Sequence, residues 1–310
     1  MEDYVYQIRK YLPLKFADNE ANDFLKYLAE TYLENIKNRK YQFAFKAFHM
    51  LYMTCIYKFS WFIKITNKES PEEKTYKLKI KDDGRAQVQE ETVSIKELFE
   101  YSLISESEAI QRLLGKTGFH PNDFDNCNRH VEARNHCSHA SGRVEYDEKG
   151  IDFLISDELK YVERLQNKIK PELKKFLEIF LEENWHKSLI SGDIENIFIA
   201  NNISRKDLEL VIGIDLPLFK KGSSSEKVVF RKILYLIFIS EAQKYFDTEI
   251  NIFVEKLPMF AIGLKDEVNI RINGEEKVKS MREIIEESLV PIINSFTQQD
   301  REKAEKILNL

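Results

Sequence analysis

The stretch from Tyr41 to Ile65 constrains this chain more than any other. In it Phe45, Phe48, Leu51, Tyr52, Cys55, Phe59, Phe62 and Ile63 recur at helical spacing, and apolar residues cover most of the circumference. A helix that is apolar nearly all round has to be buried on every side. A bilayer does not suit it, because Lys46, His49, Lys58 and Lys64 interrupt it and a span needs about 20 predominantly apolar residues. Other helices of the same chain must surround it. Its aromatic run from Tyr41 to Phe62 can be read as a base-stacking surface, but helical spacing favours core or dimer packing.

Candidates for the surrounding helices are legible on both sides. From Asn19 to Lys37, Phe24, Leu25, Leu28, Tyr32, Leu33 and Ile36 trace one helical face. Ser94 with Glu97, and Ser105 with Glu108, have the spacing of reciprocal helix-start caps, which predicts two short helices, the second ending near Gly115 or Gly118. Pro121 suits a first turn, and Phe124, Val131 and Cys137 mark the inner side of a helix lasting to about Ala140. A long helix is predicted from Asp157 to Trp185, kinked or divided by Pro171. Two β-hairpins are expected as insertions, one over Tyr76 to Val93 and one from Arg143 to Phe153.

Beyond Trp185 the pattern stays helical, near Asp193 to Asn201, Ser204 to Ile212, Glu226 to Phe246, Thr248 to Phe260, Ser280 to Phe296 and Gln298 to Leu308. The run Lys220-Lys-Gly-Ser-Ser-Ser-Glu reads as a linker. The expectation is an all-α protein with small hairpin insertions: a helical unit over residues 1–186 and a helical C-terminal unit of unknown role over 187–310.

Composition narrows the function. With 310 residues, 43% hydrophobic and 32% charged, the chain can bury a core without disulfides or a structural metal. Three cysteines, Cys55, Cys127 and Cys137, and an opening without a basic, apolar leader point to a reducing cytoplasm. A net charge of -5 argues against coating DNA, but not against an enzyme with a local basic cleft. There is no phosphate-binding glycine loop and no dinucleotide fingerprint, and no cofactor is expected.

Four of the 6 histidines fall between His120 and His139, together with two of the cysteines. Within this segment Arg134-Asn135-His136-Cys137-Ser138-His139 closes a predicted helix. Asn135 and His139, four residues apart, share a face, and Arg134 is rotated from His139 by roughly 140°. A histidine titrates near neutrality and a guanidinium grips phosphate oxygens in pairs. RNA supplies its own nucleophile in the 2′-hydroxyl, so an acid-base group and a cation suffice for its cleavage without metal.

The Arg134 to His139 element resembles the hallmark of the HEPN family: an arginine, a polar residue, a few variable positions and a histidine near a helix end in a helical bundle. The resemblance implies a HEPN-like helical bundle. It implies that Arg134 contacts the scissile phosphate, His139 transfers protons and Asn135 orients the site, with a cyclic phosphate and a 5′-hydroxyl as products. It also implies a homodimer with a composite cleft and, since many members are toxins or antiviral effectors, a defence setting with an antitoxin or regulatory partner. It covers the motif strictly and the helices from Asn19 to Trp185 loosely.

Lys116, Arg129 and Arg143 are the nearby cations suited to follow an RNA backbone, with Lys220 and Lys221 further off. Two other readings stay open. One is a non-catalytic helical module for dimerisation or partner binding, with Arg134 a solvated cation paired to Glu132 or Asp125. The other is a zinc site drawing on Cys127, His130, His136, Cys137 and His139, although one unbroken helix spreads those donors over roughly 18 Å.

Overall fold

The computed structural model describes residues 1–67, 95, 97–118, 120–138, 147–187, 189, 191–213, 225–246, 251–259, 267–272 and 275–308. The protein is mostly helical and divides into two compact units. One comprises Met1–Leu173 and Ile199–Asp207, the other Lys174–Phe198 and Leu208–Leu310.

The first unit is a bundle around one helix. α1 (Asp3–Arg9), α2 (Asn19–Lys37), α3 (Tyr41–Thr66), α4 (Glu106–Thr117), α5 (Pro121–Ser138) and α6 (Glu148–Lys168) follow in order, with a 3-10 turn at Leu98–Leu103. α3 packs against α1, α2, α4, α5, α6 and the 3-10 turn. Its Phe45, Phe48, Leu51, Tyr52, Cys55 and Phe59 are fully buried, as an all-round apolar helix requires.

Three basic residues, His49, Lys58 and Lys64, are buried in α3 with that apolar surface, and each has a partner. The Lys58 ammonium lies 2.5 Å from Asp207 and donates to the Ser204 hydroxyl at 2.8 Å and to the Tyr11 carbonyl at 3.2 Å. Asp207 also accepts from the Gln166 amide at 2.7 Å and from the Ser204 backbone and hydroxyl, both at 2.8 Å. Lys64 donates to the Ile95 carbonyl, and His49 belongs to the site described below.

Helix starts follow local chemistry. The Asp18 side chain accepts from Glu20 at the start of α2, and that of Ser105 accepts from Glu108 at the start of α4. The Ser105 cap is not reciprocal, because the Glu108 carboxylate turns to Arg112 instead. Ahead of it, Glu97 forms a capping box with Glu100 at the start of the 3-10 turn, while Ser94, expected as the cap there, lies outside the described residues. Gly118 ends α4 at φ 66°, the left-handed conformation that glycine adopts at least cost.

One expectation needs correction, one division is found as expected, and two expectations lie outside the described residues. Residues 147–153, expected in a hairpin, open α6: the Asp147 side chain accepts from the Gly150 amide at 2.8 Å. Ile151, Ile155, Leu159 and Val162 then form a buried stripe at helical spacing. The long helix expected to Trp185 is divided at Ile169, and Pro171 sits in the first turn of α7 (Lys170–Asn184), where its missing amide costs nothing. The hairpin expected over Tyr76 to Val93 and the linker at Lys220 lie outside the described residues.

α7, α8 (Ser191–Ala200) and α9 (Arg205–Ile212) each cross the division between units. The second unit centres on α10 (Ser225–Gln243), whose Ile233 to Ile239 are buried throughout. Phe238 meets Phe198 at 5.0 Å and Phe180 at 5.6 Å between ring centroids. Glu182 ties Lys227 and Arg231 to α7. α11 (Ile252–Lys256), α12 (Met281–Ile293) and α13 (Gln298–Leu308) are further described α-helices of this unit. β1 (Glu267–Ile272) and β2 (Glu275–Ser280) pair antiparallel, with Val268 opposite Lys279 and Ile270 opposite Lys277. This hairpin stands where none was expected. No described helix is long and apolar enough to cross a membrane.

Removing one member of a buried ion pair leaves the other uncompensated. Lys58→Ala should therefore destabilise the protein by about 3–5 kcal/mol, whereas the exposed Lys26→Ala should change stability by less than about 0.5 kcal/mol, both read from urea unfolding.

Candidate active site

α5 turns a stripe of Cys127, His130, Val131 and Ala133 into the core, and Arg134 lies one helical step beyond that stripe. The inner face therefore runs through Cys127 and His130 as well as Val131. Phe124 and Cys137, expected on it, are only half-buried. Position on this stripe decides the environment of Arg134, which is 28% exposed and pairs with Glu106. Glu132 and Asp125, the partners expected for a solvated arginine, do not hold it.

Glu106 is the first residue of α4, where a carboxylate is favoured by the free amides and the helix dipole. Its Oε2 also lies 3.4 Å from Nε2 of His49. The imidazole of His49 is fully buried, and its Nδ1 lies 2.5 Å from Oε1 of Glu158, itself fully buried on α6. Four helices thus contribute one charged group each to a line of alternating sign: Glu158 from α6, His49 from α3, Glu106 from α4 and Arg134 from α5.

The electrostatics follow from that order. Burial alone pushes His49 down, but Glu158 and Glu106 outweigh burial and raise it to about 9. Burial pushes Glu106 up, and the hydrogen bonds and charges of His49 and Arg134 more than reverse this, leaving it below the usual carboxylate range. Both groups are held charged at neutral pH.

The other chemistry-bearing residues of α5 are placed differently. Asn135 is half-buried in the last turn beside Arg134, and the Ser138 hydroxyl donates to the Arg134 carbonyl at 2.8 Å. His139 and Arg143 lie outside the described residues. Arg129 is exposed, five residues from Arg134 and so on another face. Lys116 sits ten residues beyond Glu106, roughly 15 Å along α4, and the structure does not bring it to Arg134.

The residues considered for zinc also separate. His130 is buried edge-on between Tyr52 and Tyr161, with Nε2 at 2.9 Å from Asp157. Cys127 is buried beside Tyr52, and burial raises its thiol to about 12. His136 is exposed and Cys137 half-buried. Among the described residues, no three His, Cys, Asp or Glu side chains converge as a metal site would need. A cleft of about 320 Å³, lined by Tyr4, Gln7, Lys10, Ser156, Lys160 and Lys206 among others, shares no residue with the Arg134 site.

His49, Glu158 and Glu106 are the members of the site that sequence reasoning passed over. His49 read as an interruption of an apolar helix, and neither Glu106 nor Glu158 was singled out. The available signal was a titratable residue inside a helix with no continuous polar face, which demands a charged partner. No family model, curated protein or solved structure matches this chain.

The pH dependence of stability tests the line. With His49 near 9 when folded and near 6.5 when unfolded, its contribution is fully present below about pH 6.5 and lost as pH rises through about 9. The thermal midpoint of the wild type should fall between about pH 7 and about pH 10, and fall less in His49→Gln. An equal fall in both proteins would show that His49 is not raised.

Proposed function

We propose that the first unit is a metal-independent endoribonuclease in which Arg134 binds the scissile phosphate, His139 transfers protons and Asn135 orients the site. The observation that carries this reading is the state of Arg134. It is a cation at the end of a core-facing stripe, anchored by Glu106 yet 28% exposed. A guanidinium held in place with open donors suits the crowded, doubly charged phosphorane of RNA cleavage. The resemblance of Arg134 to His139 to the HEPN hallmark adds the histidine, the HEPN-like bundle, the cyclic-phosphate product and a toxin or antiviral setting in the cytoplasm.

A second copy of the chain belongs to this reading, because the Arg-x-x-x-x-His spacing leaves the two side chains poorly aligned on a single helix. Phe43 and Met50 lie two turns apart on one face of α3, 56% and 45% exposed, with Lys46 between them over the Phe43 ring. Lys46 also acts electrostatically on Cys137 at the end of α5. An exposed apolar face thus adjoins the end of the motif helix, where a composite cleft needs its partner.

Two experiments check the proposal. Full-length protein incubated with total RNA in EDTA should leave cyclic-phosphate and 5′-hydroxyl ends. Arg134→Ala and His139→Ala should each slow cleavage by about 10²–10⁴-fold. A wild type inactive on varied RNAs would favour a helical interaction module instead. In sedimentation the wild type should run as a dimer, and Phe43→Glu with Met50→Glu should give a monomer that no longer cleaves. Cleavage by that monomer would remove the composite site.

A further inference from the structure

The line Glu158, His49, Glu106 and Arg134 holds more buried charge than a helix contact requires. Taking charged groups out of water is costly, and well-packed apolar side chains join helices at least as well. The line opens to solvent at one end only: Glu158 and His49 are fully buried, Glu106 is 21% exposed and Arg134 28%. The cost is therefore borne where it controls the exposed end.

We propose that Glu106 is the positioning residue of the Arg134 site, and that the buried His49–Glu158 pair is the clamp that fixes Glu106. This rests on the reading of Arg134 as the phosphate-binding group. Glu106 takes Nη2 of Arg134 through Oε2, the oxygen that faces Nε2 of His49. A carboxylate shared between two cations cannot swing toward solvent without abandoning one of them. One corner of the guanidinium is thereby pinned, and the donors on its other edges remain for phosphate oxygens. The side chain is ordered before RNA arrives, so the reaction does not bear the loss of arginine rotamer freedom. The groups around His49 all serve this arrangement: Glu158 on α6, Glu106 on α4 with Arg134 of α5 behind it, and the rings of Phe45 and Tyr52 on α3 itself.

A charge-removing, shape-preserving substitution separates positioning from mere packing. Glu106→Gln keeps the size of the side chain at a partly exposed helix start, so its thermal midpoint should stay within about 4 °C of wild type. In the wild type, the Nη resonances of Arg134 should be split by hindered rotation, and in Glu106→Gln and His49→Gln they should average. At saturating RNA, Glu106→Gln should lower kcat by about 10–100-fold, with KM changed by less than about threefold. Glu106→Asp, which retains the charge on a shorter stem, should fall between the two. Should the glutamine variant fail to fold, the comparison of wild type with Glu106→Asp carries the same test. Split resonances that persist without the Glu106 charge, or a kcat equal to wild type, would overturn the clamp. Wild-type protein that does not cleave RNA while its Arg134 resonances still depend on Glu106 would instead count against the nuclease reading and leave the clamp standing.

Discussion

The first unit depends on a helix that cannot be exposed and yet carries charge. α3 is wrapped over most of its surface, and His49 and Lys58 lie on the wrapped part with no water to solvate them; an uncompensated buried ion is among the costliest defects a fold can contain. Each recruits a carboxylate from a helix distant in sequence: Glu158 and Glu106 to one, Asp207 to the other. Apolar burial brings the helices together without specifying how they turn about α3. The two charged centres supply that specification, since α4, α6 and α9 must each present a particular residue at a particular level.

Seen this way, the candidate site is an outlet of the core. Three of the four groups in the Arg134 line are structural by position, and the fourth emerges at the end of α5. The helix dipoles agree with the order. Glu106 lies at the positive start of α4 and Arg134 in the last turns of α5, near its negative end. The tyrosines extend the polar interior on the other flank, with Tyr52 and Tyr161 closing His130 against Asp157.

How much of this could be read in the residues varied with the range of the interaction. The bounds of α2, α3 and α4 follow from apolar spacing and from the Asp18 and Ser105 caps, all local chemistry. α6 was misplaced because Asp147, its cap, lies inside a segment whose alternating text resembles a strand. The β1–β2 hairpin escaped notice although Asn273-Gly274 between Val268-x-Ile270-x-Ile272 and Val278 is a strong turn signal. The Arg134 motif was legible as text, but its environment was not. His49 and Glu158 are 109 residues apart and Lys58 and Ser204 are 146 apart. Periodicity says that such groups face inward without naming whom they meet.

The segment Ile199–Asp207 belongs to the first unit although the chain has by then visited the second. Ser204 and Asp207 complete the shell of Lys58, and backbone bonds from Leu14 to Ile203 and from Lys206 to Lys10 fasten the segment to the chain beside α1. The two units alternate along the sequence, so no single cut yields the first one whole. A fragment ending near residue 186 would retain every group of the Arg134 line and lose Asp207, the counter-charge of Lys58. A ribosome making this protein likewise leaves Lys58 without its counter-charge until α9 has begun to emerge.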